Sequence, residues 1–153
     1  MVFKDENGDD IAFIEALLEE PARIDIIDVR RTGRGDTVEI VISNKAGNIG
    51  LNDCEALTTR LDEDEGFRGR FGSETVISVM SPGSERKLTT WRELEKFRGR
   101  DVQAVTAGRD GRETTVTGCL TGSTRSELTL ATDGEERTIP VESLQSVRLF
   151  LDF

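Results

Sequence analysis

The chain has 153 residues, 35% of them hydrophobic, with 30 acidic and 20 basic side chains and a formal net charge of −10. That length allows one medium domain or two small ones with marginal cores. No apolar run approaches the roughly 20 residues of a membrane-spanning helix, and the acidic N-terminus lacks the apolar segment of a signal peptide. Histidine and tyrosine are absent. Their absence removes the commonest general base, every Ser-His or Cys-His pair and imidazole metal ligands. No lysine stands at a spacing that points to a particular serine, so the chain reads as a non-enzyme. Cys54 and Cys119 fit no metal pattern and are expected to stay reduced in a cytosolic protein.

The charge is uneven. Residues 1–80 carry 18 acids and nine bases, whereas residues 81–153 carry 12 and 11. Between Arg86 and Arg112 there are eight bases against four acids. An acidic N-terminal half favours a basic protein partner, and the central basic stretch suits phosphate.

Residues 1–9 show no periodicity and are expected to fray. Ile11, Ile14, Leu17 and Leu18 then recur at helical spacing, with Asp9 or Asp10 as N-cap and Pro21 as the stop. Ile24 to Arg31 reads as a strand whose alternation slips between Ile26 and Ile27, as a bulge or two-sided burial would require. Gly33-Arg34-Gly35-Asp36 is a hairpin connection, so its adhesion-like tripeptide is turn chemistry. Val38, Ile40 and Ile42 share one face of a second strand, and Asn44 to Gly50 is loop. Asn52 and Glu55 form a capping-box pattern for a helix with Leu51, Cys54, Leu57, Thr58 and Leu61 on one face, ending by Gly66. Cys54 on that face reads as a small buried hydrophobe. Asp62-Glu63-Asp64-Glu65 lacks the spacing of a calcium loop. It reads as a solvated helix end, placed where the dipole disfavours negative charge. Ile77 and Val79 make a third strand that must turn at Ser81-Pro82-Gly83, where proline lacks a donor and glycine permits φ > 0.

Beyond that turn, Thr90 and Glu93 form a capping box for a helix carrying Trp91, Leu94 and Phe97 and terminated by Gly99. Strands follow at about 101–107, 113–121, 126–132, 136–140 and 146–151, with Asp110-Gly111 and Asp133-Gly134 as hairpin dipeptides. The whole is an α+β protein. Residues 1–82 are expected to be an N-terminal α/β domain, a three-stranded sheet with two helices. Residues 83–153 are expected to be a short helix plus a small C-terminal SH3/Sm-like β-barrel.

Val79, Ser81, Pro82, Gly83, Arg86 and Leu88, with Glu85 in place of an aspartate, resemble the signature of the RimP family of ribosome maturation factors. The match departs from that pattern at Ser78, Met80, Ser84 and Lys87. Ile49 to Leu57, Ile24 to Val29, Phe97 to Val102, Thr117 to Leu120 and Ile139 to Val141 resemble the same family, so the likeness spans about residues 10–151. It implies a cytoplasmic, monomeric factor without catalysis or cofactor that binds the immature small ribosomal subunit and assists its assembly. The implied partners are rRNA and a basic ribosomal protein near the decoding centre. The alternative is an Sm-like RNA-binding adaptor acting through the barrel alone.

The candidate ribosome-binding residues are Arg86, Lys87, Arg98, Arg100, Arg109 and Arg112, because phosphate contacts need clustered cations without base specificity. Ser81, Pro82, Gly83 and Glu85 form a domain-junction motif, in which Glu85 and Arg86 can pair with backbone or with each other. Trp91 reads as a packing anchor in preference to a base-stacking platform.

Overall fold

Taken in chain order, the computed structural model describes residues 2–18, 24–44 and 51–150. It runs α1 (Gly8–Leu17), β1 (Ile24–Thr32), β2 (Thr37–Asn44), α2 (Leu51–Asp62), α3 (Glu65–Phe71) and β3 (Val76–Met80). There follow α4 (Trp91–Lys96), β4 (Asp101–Ala107), β5 (Glu113–Ser123), β6 (Glu127–Thr132), β7 (Glu135–Pro140) and β8 (Leu144–Leu149). Glu6–Pro82 forms one compact unit, and Gly83–Phe153 together with Met1–Asp5 forms the other. The expected Pro21 helix stop, residues 45–50 of the expected loop and the end of the last strand at Leu151 lie outside the described residues.

In the Glu6–Pro82 unit the sheet order is β1-β2-β3, with β1 antiparallel and β3 parallel to β2. Period-two alternation puts Val38, Ile40 and Ile42 of β2 on one face, and all three are wholly buried. The register slips between Ile26 and Asp28, so the bulge read from the sequence is present. It lets Ile26 and Val29 both reach the core that Ile11, Ile14, Leu57, Leu61, Phe67 and Phe71 share. The β1–β2 connection places Gly33, Arg34 and Gly35 all at positive φ.

Four expectations are corrected here. The stretch expected to fray is held in place where it is described at Phe3 and Lys4: Phe3 is 4% exposed and Lys4 bridges Thr90. The N-cap of α1 is Asn7, whose side chain accepts from the Asp10 amide, leaving Asp10 inside the first turn and buried. Asn52 is the second residue of α2, because the helix starts at Leu51, and so it makes no capping box. A third helix, α3, occupies part of the charged stretch read as a helix end. Asp64 caps it by accepting from the Phe67 amide at 2.8 Å. The acidic run therefore closes one helix and opens the next, with Glu65 at a helix start where its charge is favourable. At the other end of the run, Asp62 is ion-paired with Arg68.

Asp10 ties the unit together. Its carboxylate, on a residue 3% exposed, accepts from Arg31 (3.1 Å from both Nε and a terminal nitrogen), Arg70 Nε (2.9 Å) and Asn7 (2.6 Å). Arg31 lies over the Phe71 ring and Arg70 over Phe13, so α1, β1 and α3 share one polar centre roofed by aromatics. Burial pushes the Asp10 carboxyl up, but the Arg31, Arg70 and Asn7 hydrogen bonds outweigh it and hold the group below its ordinary value.

In the other unit the sheet order is β7-β6-β5-β4-β8, antiparallel throughout. Val102, Ala104, Val116, Leu120, Leu128, Leu130, Val147 and Leu149 are buried, and the strands lie close to their expected bounds. The strand pairing gives one five-stranded antiparallel sheet and does not by itself establish the expected SH3/Sm-like barrel. No β7–β8 ladder forms among the described residues. The outer edge of β8 is paired with residues 86–88. Leu88 N donates to Val147 O at 2.8 Å, and Leu149 N donates to Arg86 O at 2.9 Å. Gly118 stands where β6 comes closest, and a Cβ there would lie 2.7 Å from Ala131 O.

Two stability outcomes follow from this packing. Gly118→Ala is expected to lose about 1–3 kcal/mol, because backbone must move to admit the methyl group; urea denaturation checks it. Asp10→Asn is expected to lose about 2 kcal/mol near neutrality by weakening charge-assisted hydrogen bonds. Because the folded-state carboxyl titrates below its unfolded value, that advantage is complete above about pH 4 and disappears as pH falls through the folded value. Urea curves of both proteins should therefore converge in acid. A gap unchanged down to about pH 2, well below the ordinary carboxylate range, would refute the assignment.

Candidate functional site

The local chemistry around α4 decides what the basic stretch is free to do. Thr90 caps α4, and the Glu93 side chain returns to the Thr90 amide at 3.2 Å, completing the predicted capping box. Glu93 is wholly buried and also accepts from the Thr89 amide. Its other oxygen receives Arg86 Nε at 2.6 Å. The Arg86 side chain, 17% exposed, is thus held in an ion pair with Glu93 and not with Glu85. Among the described residues Glu85 makes no ion pair and is exposed.

The rest of the junction motif is simple. Ser81 and Gly83 are exposed and Pro82 is half-buried. Gly83 does not take the positive φ expected of it. The turn is closed instead by the Arg86 amide donating to Gly83 O at 3.3 Å.

The remaining cations fall into three places. Arg98 and Arg100, both exposed, flank Gly99 in the α4–β4 connection, where φ is +93°. The connection is pinned to β5: Gly99 N donates to Leu120 O at 2.7 Å and Leu120 N to Arg100 O at 2.9 Å. Arg98 Nε donates to Thr121 O at 2.8 Å, and the Arg100 guanidinium lies 5.8 Å from the Phe97 ring centre. Arg109 and Arg112 sit at the β4–β5 hairpin tip, Arg112 being 4.0 Å from Asp110 with both side chains well exposed. The seven residues of β4 separate these pairs by about 20 Å at roughly 3.3 Å per residue. Lys87 is elsewhere again, exposed on the strip beside β8 and directly opposite Arg148.

Arg148 was not among the candidates. Its only sequence signal is its phase, a cation alternating with the buried Val147 and Leu149. It shares a cross-strand row with Lys87 and, through β4, Gln103. Like charges directly opposite one another repel, so this pair is unfavourable by a few tenths of a kcal/mol, up to ~1, until an anion approaches.

Trp91 is a packing residue. Its ring lies 5.2 Å from Phe3, and Arg125 covers it at 4.5 Å while also pairing with Asp5 at 3.0 Å. Cys54 is partly buried against the core, and burial first, then Asp53 and Glu55, push its thiol up. Among the described residues no group of three or more potential metal ligands converges. What the arrangement offers chemically is exposed, separated cations able to meet phosphate at several points.

Arg86 and Glu93 make a falsifiable pair. Arg86→Ala leaves a buried carboxylate without its cation and is expected to cost about 3 kcal/mol or more. Thermal unfolding of the two single variants and the double variant measures the coupling, and additive effects would dismiss the pair.

No family model matches the chain. It is 30% identical over 146 residues to the ribosome maturation factor RimP of Microcystis aeruginosa, covering 92% of this chain and 91% of that protein.

Proposed function

Because the chain belongs to the RimP family of ribosome maturation factors, we propose that it binds the immature small ribosomal subunit and assists its assembly as a monomeric, non-catalytic cytoplasmic factor. The observation that carries this reading is the likeness over 92% of the chain to a protein of that name. The distribution of charge supports it. Arg98, Arg100, Arg109, Arg112 and Lys87 are exposed cations set apart on one unit, suited to rRNA phosphates that are themselves spread over a surface. The acidic N-terminal half attracts a basic ribosomal protein, the partner near the decoding centre that the family implies. It also repels loose RNA, so selectivity comes from meeting both partners together.

Arg86 contributes differently from the others. Held by Glu93, it shapes the segment that carries Lys87, and its loss acts through folding.

The test is co-sedimentation with purified bacterial small subunits and with whole ribosomes at two salt concentrations. Salt-sensitive binding to free small subunits alone is expected. The double charge reversal R98E/R100E should weaken that binding and reduce the slope of log affinity against log salt by about 1 for each phosphate no longer neutralised. An unchanged slope removes these arginines from the interface. Binding to short single-stranded RNA without binding to subunits would favour the Sm-like adaptor.

A further inference from the structure

β3 is the edge strand of its sheet, and no strand lies on its outer side among the described residues. Val76 N donates to Asp36 O at 2.8 Å, on the β2 side. In a parallel ladder successive residues alternate direction, so Val76, Ser78 and Met80 turn their N–H and C=O groups to β2. Ile77 and Val79 therefore turn theirs outward. Natural edges are usually blunted by lysine, proline or a bulge. Val76–Met80 reads Val-Ile-Ser-Val-Met and pairs without a register shift, so it has none of these. Val76 is moreover 59% exposed, the one exposed large hydrophobic among the described residues.

A groove of about 490 Å³ runs beside this edge, between Cys54, Glu55 and Thr58 of α2 and Ile77 and Val79 of β3. At the N-terminal end of the strand a second depression of about 480 Å³ is bordered by Asp36 and Glu74. Glu55, Asp36 and Glu74 are all exposed. The N-terminal end of the open edge and the groove beside its middle are therefore bordered by acids, in a half-chain whose net charge is strongly negative.

We infer that the outer edge of β3 binds an extended, lysine- and arginine-rich peptide segment of a protein partner, which adds as a strand against Ile77 and Val79. Backbone pairing supplies affinity, and Glu55, Asp36 and Glu74 select for cationic side chains. Nucleic acid is repelled by the same acids. A second copy would bring a like-charged edge against this one. The inference deepens the reading above by giving its basic protein partner a place to dock.

The experiment is amide hydrogen exchange, read by NMR on the full chain, with a short synthetic peptide alternating lysine and valine. Its control is the peptide alternating glutamate and valine. Exchange at Ile77 and Val79 is expected to slow by about tenfold or more with the lysine peptide, with Ser78 little changed. The surface variants Glu55→Lys and Glu74→Lys should each weaken the peptide by about threefold. Binding without protection at Ile77 and Val79, equal binding of the glutamate peptide, or no binding would overturn the inference. So would protection that rises with protein concentration in the absence of peptide, because the occupant would then be a second copy. Subunit co-sedimentation that persists while the peptide fails sinks this inference alone. Peptide protection without subunit binding sinks the ribosomal reading alone.

Discussion

The unit Gly83–Phe153 depends on one buried carboxylate. Glu93 reaches from the first turn of α4 to the Thr89 and Thr90 amides and to Arg86, and it is wholly buried. An isolated charge in that position would be too costly to keep, so its partners are obligatory. With Arg86 held, the strip that follows lies along β8 and takes up its outer edge. Asp10 solves the same problem in the other unit, with two arginines and an asparagine around one carboxylate. Each unit thus buries a carboxylate that needs its particular neighbours.

Two groups of arginines stand out among the described residues. Arg31, Arg70 and Arg86 serve buried acids, two of them with an aromatic ring under the guanidinium as well. Arg98, Arg100, Arg109 and Arg112 are exposed, in short connections between regular elements. Composition alone cannot sort the two groups, since both are arginines near acids in sequence. Depth sorts them, and depth comes only with the fold.

That explains what could be read beforehand and what could not. The strands of the second half announced themselves through alternation and through Asp-Gly turns. Asp133 and Gly134 both take the positive φ that such a hairpin needs. The Thr90–Glu93 box was equally legible, being a local pattern with a local cause. α3 was hidden because it is seven residues long, holds two glycines and shows only Phe67 and Phe71 as an apolar pair. The N-terminal segment was hidden for a different reason. Phe3 is buried beside Trp91, from which it is separated in sequence by the whole Glu6–Pro82 unit, and no window of neighbouring residues contains both rings. Of the candidate site, the residue types and their exposure outside Arg86 were legible. The hairpin-tip placement of Arg109 and Arg112 was legible as well, whereas the distance that the seven residues of β4 set between them at one end and Arg98 and Arg100 at the other was not.

Separation of those ends changes what kind of binding the chain can support. A single dense basic patch would hold any polyanion, with affinity set by phosphate count and falling steeply with salt. Cations spaced by a strand length instead reward a rigid surface whose phosphates are already in place, and a flexible single strand must give up conformational entropy to match them. On the proposed reading, acidic residues in the other half would add a second condition that free RNA fails and a basic protein meets. Neither condition needs a catalytic group or a deep pocket. On that reading, discrimination would come from the spacing that β4 imposes and from the contrast between the strongly acidic residues 1–80 and the nearly neutral residues 81–153, a combination that a folded ribonucleoprotein would satisfy more readily than RNA or protein alone.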